Sequence, residues 1–180
     1  MLASAVSYAL KAAALVRPAD MTRPTPCAGW TLDDLLRHLC DSVAALDEAF
    51  ATGRLGPEPA ALASTDLVEV LRDRAAELLC SMFTAQDRTI QVASLPVPDD
   101  LIIAAGAVEI AVHGWDVYVT CGHGRVVPAA LARPLIRMFP LLITERQGLF
   151  ASPVATPPCA SPGDRMVAFL GRDPAGRRRR

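Results

Sequence analysis

A carboxylate and an imidazole lie four residues apart, at Glu109 and His113, in the mostly apolar run from Leu101 to Thr120. On a helix, side chains four residues apart lie on one face, one turn above the other, and can reach a common point. Asp116 falls on the same stripe, three residues beyond His113. Burial of such groups beside an apolar surface costs free energy unless they are paired, neutralised or metal-bound. The spacing therefore indicates a metal site or a buried polar pair.

A third candidate ligand, His38, lies on another predicted helix. Thr31 is a suitable N-cap with Asp34 at the capping-box position, and apolar residues at helical spacing continue to about Thr52, where Gly53 ends the helix. At about 100° per residue, His38 projects from the flank of this apolar stripe, towards a seam between helices. Three nitrogen and oxygen ligands would leave a position open for water or substrate, as in catalytic zinc sites.

The pattern of glutamate and histidine has a plainer explanation, because Glu-x-x-x-His occurs by chance on many helices. The spacing alone leaves a metal ligand and a satisfied core histidine equally open. Asp116 is either an acceptor that orients His113 or a solvated residue of the helix surface. His123, in a Gly-His-Gly turn, is predicted to be a loop residue.

The composition predicts one globular domain. The chain has 180 residues, of which 52% are hydrophobic, and a net charge of -1. This charge gives no electrostatic reason to expect a nucleic acid or a membrane surface as partner. The run from Leu101 to Thr120 has about the length of a membrane span, but its ionisable residues favour a buried helix.

The five cysteines are scattered singly, at Cys27, Cys40, Cys80, Cys121 and Cys159. Neither a disulfide framework nor metal-binding spacing is visible, which favours a reducing compartment, the cytoplasm. A helix start close to Cys27 favours a reactive thiol, but the preferred interpretation is buried packing. We therefore leave all five cysteines out of the predicted ligand set.

The remaining patterns predict an all-α helical bundle over residues 1–150. We expect further helices at Ala3–Val16, after a cap at Ser64 or Thr65, after a cap at Asp99, and from Pro128, the last kinked or split at Pro134 and Pro140. A short β-prone segment covers Thr89–Leu95. Residues 151–180 are predicted to form an irregular tail or a short added strand that packs on the bundle, with a disordered basic end at Arg177–Arg180.

Five segments resemble one known family, that of the mycothiol-dependent maleylpyruvate isomerase-like proteins of the DinB superfamily, in its short actinobacterial type. The segments are Pro24–Thr31, Asp34–Leu36, His38–Leu39, Glu109–Asp116 and Phe169–Pro174. The resemblance implies a DinB-like four-helix bundle, here with an extra helix and the irregular tail. It also implies a divalent metal, usually zinc, held at positions that correspond to His38, Glu109 and His113.

Three functions follow as hypotheses. The first is a zinc-dependent enzyme that activates a low-molecular-weight thiol such as mycothiol, for transfer to a small electrophile or for its isomerisation. The second is a metal-activated hydrolase, in which water replaces the thiol. The third is a noncatalytic metal- or ligand-binding bundle, which predicts a closed site without a cavity. The apolar fraction also permits a homodimer.

Overall fold

Six helices and a small sheet make up the parts of the chain that the structure describes. The computed structural model describes residues 1–56, 66–84, 89–146 and 150–175. The helices are α1 (Leu2–Ala13), α2 (Leu32–Thr52), α3 (Leu67–Thr84), α4 (Asp99–Thr120), α5 (Ala129–Leu142) and α6 (Pro162–Phe169). The strands are β1 (Arg54–Leu55), β2 (Thr89–Val92) and β3 (Leu95–Pro98).

The first four helices form the predicted bundle. α1 packs along α4, α2 packs along both α3 and α4, and α1 also touches α3. α5 lies against α4 as the extra helix, and α6 lies against α5. The prediction of an all-α, DinB-like bundle is confirmed, with the small sheet as an addition.

Local sequence signals determine where α2 begins and ends. The Thr31 side chain accepts a hydrogen bond from the Asp34 backbone N–H, and Asp34 accepts one from the Thr31 N–H in return. Gly53 ends the helix in the left-handed conformation, at φ 74°. Four leucines in the first two turns are fully buried, and each stabilises the fold by roughly 1.5–3 kcal/mol: Leu32, Leu35, Leu36 and Leu39.

α4 is the central helix and is buried on almost all sides. By length and composition it could cross a membrane, but 78% of its most apolar window is buried inside the bundle. That burial is typical of the core helix of a soluble protein. Gly114 lets α1 approach closely, since a Cβ at this position would lie 3.0 Å from the Cα of Ala9.

The sheet connects α2 and α3 to α4. β1 pairs in parallel with β2, and β2 pairs with β3 as an antiparallel hairpin. The β-prone segment Thr89–Leu95 therefore supplies β2 and the first residue of β3. Because β1 follows α2 directly and β3 precedes α4 directly, the sheet ties together the two helices that carry the candidate ligands.

Two sequence expectations about helix bounds need correction. α4 begins at Asp99 itself, so this residue lies in the first turn, and Pro98 occupies the cap position. α5 continues through Pro134 and Pro140 without a break. Pro134 has no backbone N–H to donate to the carbonyl oxygen of Ala130, four residues earlier. Ala130 is exposed, so water can hydrogen-bond this oxygen instead.

The segment after residue 150 differs from the predicted irregular tail because it contains α6. Ser161 caps this helix by accepting a hydrogen bond from the Asp164 N–H, and Pro162 occupies its first turn. The predicted caps Ser64 and Thr65 and the basic end Arg177–Arg180 lie outside the described residues.

Candidate metal centre

His38, Glu109 and His113 come together where α2 packs against α4. Nε2 of His38 lies 2.6 Å from Oε1 of Glu109, and Nε2 of His113 lies 3.0 Å from the same oxygen. One ligand atom from each of the three residues lies within 4.8 Å of those of the other two. The structure thus gathers all three sequence-predicted ligands at one point.

The cluster is open on one side. The side chains of His38 and Glu109 are 39% and 34% exposed, whereas that of His113 is 8% exposed. An ion bound by the three side chains would contact the buried His113 on its inner side. It would be open to solvent on the side of His38 and Glu109. This arrangement suits an exchangeable position better than a closed structural site.

The donor set fits a divalent metal such as zinc. Imidazole nitrogens and carboxylate oxygens are common zinc ligands, and a tetrahedral ion with bonds of about 2.1 Å separates its ligand atoms by roughly 3.4 Å. The two separations measured here, 2.6 and 3.0 Å, are those of hydrogen bonds. A small outward movement of the side chains would therefore bring the three atoms to coordinating distances.

Hydrogen bonds within the cluster shift the pKa values of Glu109 and His113 in opposite directions. Burial alone would raise the pKa of Glu109, but hydrogen bonds from the His113 and His38 rings outweigh it, and the pKa lies well below its ordinary range. Burial would lower the pKa of His113, but hydrogen bonds with Asp116, Cys27 and Glu109 raise it well above its usual value. Glu109 is therefore an ionised carboxylate, the form that binds a cation, whereas His113 carries a proton that a metal would have to displace from Nε2.

Asp116 lies behind His113 and is fully buried. Its Oδ2 atom lies 3.0 Å from Nδ1 of His113, the nitrogen opposite to the one that faces Glu109. A hydrogen bond from Nδ1 to this carboxylate leaves Nε2 as the ligand atom, as is usual for histidines that bind metals. The alternative that Asp116 is a solvated surface residue is wrong, because the packing of α4 excludes water from it.

Two further side chains reach Asp116, and sequence reasoning did not place either there. The thiol of Cys27 donates to Oδ2 at 3.3 Å, and the guanidinium of Arg172 donates to Oδ2 at 3.0 Å and to Oδ1 at 3.4 Å. No local sequence pattern predicts these contacts, because Arg172 is 56 residues from Asp116 in sequence. Both residues do fall in segments that carried the family resemblance.

Cys27, His113 and Asp116 form a second group with atoms close enough to share an ion. Its charges make it the poorer candidate. Arg172 donates to both Asp116 and the sulfur of Cys27, so a cation here would face a guanidinium group. The first group consists of His38, Glu109 and His113. Its described hydrogen bonds and ion pairs on the Nε2 side of His113 include no arginine or lysine.

Trp30 forms part of the wall of the open side. Its ring meets His38 edge-on with centroids 4.9 Å apart, and it stacks on His113 at 6.3 Å. The ring remains 36% exposed. The sequence analysis did not place Trp30 at the site, although the residue lies in the segment Pro24–Thr31 that carried the family resemblance.

The remaining candidates lie elsewhere. His123 is exposed in the turn after α4, as predicted for a loop residue, and belongs to neither of the groups found among the described residues. Cys40 is buried, with its thiol 3.5 Å from the carbonyl oxygen of Leu67, whereas Cys80 and Cys159 are exposed. All five cysteines are free.

Comparison with known proteins identifies the family. The family model described as the mycothiol maleylpyruvate isomerase N-terminal domain matches residues 2–118. The chain belongs to this family. The match to the mycothiol maleylpyruvate isomerase N-terminal domain covers α1, α2, α3 and most of α4, with His38, Glu109, His113 and Asp116. Arg172 and α6 lie beyond it.

Two similar proteins come from Mycobacterium tuberculosis. They are the uncharacterized protein MT0763 of strain CDC 1551 / Oshkosh and the uncharacterized protein Rv0738 of strain H37Rv. Each is 28% identical over 165 residues, covering 87% of this chain and 87% of the relative. The similarity therefore extends past the family match into the C-terminal segment. No solved structure matches the chain.

Proposed function

We propose that the protein is a zinc-dependent enzyme that activates a low-molecular-weight thiol, such as mycothiol, for transfer to a small electrophile or for its isomerisation. The observation that carries this proposal is the half-open group of two imidazoles and one carboxylate, contributed by two facing helices. Membership in the mycothiol maleylpyruvate isomerase N-terminal domain family supports the choice of a thiol as cosubstrate.

Each side chain has a distinct part in this proposal. His38, Glu109 and His113 would hold the ion, and Asp116 orients the His113 ring so that Nε2 is the nitrogen available to bind it. The exposed sides of His38 and Glu109 leave room for the thiol to approach. The ring of Trp30 offers a flat apolar wall beside that approach, suited to the body of a small organic substrate.

The chemistry requires a sulfur nucleophile at neutral pH. A bound zinc ion lowers the pKa of a thiol and so supplies the thiolate. Addition of the thiolate to an activated carbon–carbon double bond forms a carbon–sulfur bond, and the thiol proton ends on the neighbouring carbon. Loss of the thiol after rotation about the resulting single bond gives the isomer, and no redox partner is needed.

The experiment that tests the proposal joins metal content to thiol dependence. Protein purified without an affinity metal is analysed for zinc as wild type, His38→Ala, His113→Ala and His123→Ala. The last is a matched control, because His123 is exposed and outside the site. We expect about one equivalent of zinc in wild type and His123→Ala, and loss of that zinc in the other two variants.

The same four proteins are then assayed with small unsaturated electrophiles and a panel of thiols. We expect adducts or isomers only when both zinc and a thiol are present, and none with His113→Ala. Turnover that persists without any thiol would favour a metal-activated hydrolase. One equivalent of zinc retained by His113→Ala would overturn the ligand assignment, and zinc without turnover of any kind would favour a noncatalytic bundle.

The setting we propose is the cytoplasm, with small molecules as the partners. The five free cysteines support a reducing compartment, since no disulfide is formed. The net charge of -1 gives no support for binding nucleic acid or a membrane surface. A homodimer stays a proposal, to be checked by sedimentation of the zinc-loaded protein.

A further inference from the structure

We propose that Arg172 is a positioning residue of the metal centre, so that the segment after α6 completes a site whose ligands all lie on α2 and α4. This inference rests on the proposed function, because it concerns the same zinc ion. It assigns a role to a part of the chain that lies beyond the family match at residues 2–118.

The first step of the argument is the environment of Asp116. Its side chain has no exposed surface, so each of its lone pairs must be satisfied from within the protein. Three chain segments supply the donors: Cys27 before α2, His113 on α4, and Arg172 after α6. Arg172 contributes a permanent positive charge and two of the contacts, one to each carboxylate oxygen. Among these three donors, Arg172 is the one that contacts both oxygens of the carboxylate.

The second step is that Arg172 itself has little freedom. The backbone after α6 forms a Schellman motif, in which the Gly171 N–H bonds the carbonyl of Ala168 and the Arg172 N–H bonds that of Val167. Gly171 has φ 84°, the left-handed conformation that this motif requires. A guanidinium N–H also bonds the carbonyl of Leu170, at 3.0 Å. The Arg172 side chain is 12% exposed and forms an ion pair with the buried Asp116.

The third step connects Arg172 to the ion. Arg172 holds Asp116, Asp116 holds Nδ1 of His113, and this leaves Nε2 of His113 directed at Glu109. Without Arg172 the carboxylate keeps only donors from Cys27 and His113, and the His113 ring loses its fixed orientation. Removal of a residue that hydrogen-bonds a metal-binding histidine, as Asp116 does, typically weakens metal binding by about 10–100-fold. A residue that acts through Asp116 should have no larger effect than this.

The test measures the zinc dissociation constant by competition with a chromophoric chelator. It compares wild type, Arg172→Gln, Arg172→Lys and Arg165→Gln. The last is a matched control, because Arg165 lies on α6, is exposed, and bonds only the Pro158 carbonyl among the described residues. We expect zinc binding about 10–100-fold weaker for Arg172→Gln. The zinc affinity of Arg172→Lys should be intermediate, because lysine keeps the positive charge but cannot contact both Asp116 oxygens as the guanidinium does. The zinc affinity of Arg165→Gln should match that of wild type.

A double-mutant comparison separates positioning from a general loss of stability. If Arg172 acts through Asp116, Arg172→Gln added to Asp116→Asn should weaken zinc binding no further than Asp116→Asn alone. Arg172 variants that bind zinc as tightly as wild type would overturn this inference and leave the proposed function intact. A wild-type protein that binds no zinc would overturn both. If Arg172→Gln does not fold, Arg172→Lys decides the question.

Discussion

Both ring nitrogens of His113 face carboxylates, and this determines which of them can bind a metal. Nε2 lies 3.0 Å from Glu109, and Nδ1 lies 3.0 Å from Asp116. Asp116 is buried and held by Arg172, whereas Glu109 is partly exposed and shared with His38. The ion is therefore expected on the Glu109 side, where a third ligand and solvent are both within reach.

Cys40 shows how burial removes a thiol from the chemistry of the chain. Burial raises the pKa of Cys40 from the ordinary 9.0 to about 11. Only the thiolate reacts with alkylating reagents, so at pH 8 the reactive fraction falls by about a hundredfold relative to an ordinary cysteine. We expect iodoacetamide at pH 8 to modify the exposed Cys80 and Cys159 first and Cys40 very slowly, as measured by peptide mass spectrometry.

Two controls accompany the labelling. Denatured protein should react at all five cysteines, which shows that each peptide is detected. Because the thiolate fraction of Cys40 rises with pH up to its pKa, its labelling rate should increase between pH 8 and pH 10. Equal rates at Cys40 and Cys80 in the native protein at pH 8 would contradict the burial of Cys40.

The clustering of the three candidate ligands could be predicted from the sequence because each side chain is placed by the periodicity of its own helix. The spacing between Glu109 and His113 places both on one helix face, and the periodicity of α2 puts His38 in the seam beside them. The contacts of Arg172 and Cys27 with Asp116 could not be predicted, because they depend on how distant segments pack. These contacts join residues 56 and 89 positions apart in sequence.

Among the elements, α6 depends most on close approach to a neighbouring segment. A Cβ added to Gly163 would clash with the backbone carbonyl oxygen of Val127 and would lie 3.0 Å from the nitrogen of the same residue. Backbone atoms cannot rotate away, so α6 would have to move. We expect Gly163→Ala to lower the free energy of unfolding by about 1–3 kcal/mol, measured by urea denaturation.

Gly124→Ala is the matched control for that measurement. A Cβ at Gly124 would meet nothing within 4 Å, so the substitution should leave stability unchanged or raise it slightly. Similar losses for both variants would show that close packing at Gly163 is not the cause. If Arg172 acts as proposed, Gly163→Ala should also weaken zinc binding.

Sequence reasoning located the long helices better than α6 for a physical reason. α2 has a capping box, a terminating glycine and several turns of apolar periodicity, which all indicate the same element. α6 has eight residues and begins with Pro162 and Gly163, which are usually associated with loops. Two signals in the sequence do indicate a helix here: Ser161 is a suitable N-cap, and Pro162 is favourable in the first turn.

At the scale of the molecule, a zinc ion would link α2 to α4 and so stabilise the whole fold. A ligand that binds only the folded state stabilises it by about 4 kcal/mol at a thousand times its dissociation constant. For a chain of this size, that corresponds to a rise in Tm on the order of 10 °C. We expect this rise for metal-free wild type on addition of zinc, measured by circular dichroism.

His113→Ala should show no such rise, whereas His123→Ala should behave as wild type. An equal rise in wild type and His113→Ala would mean that zinc binds elsewhere on the chain. The bundle itself was predictable from apolar periodicity and capping. The junction between its core and the C-terminal segment was not, because no local pattern encodes it.

The place of Arg172 in the chain also has a consequence for the order of synthesis. A ribosome makes the segments that hold His38, Glu109 and His113 well before residue 172. On the role proposed for Arg172, a nascent chain can gather its ligands but cannot yet fix Asp116. Full affinity for the ion would then arise only after residue 172 has left the ribosome, which delays tight metal capture until the segment after α6 has been made.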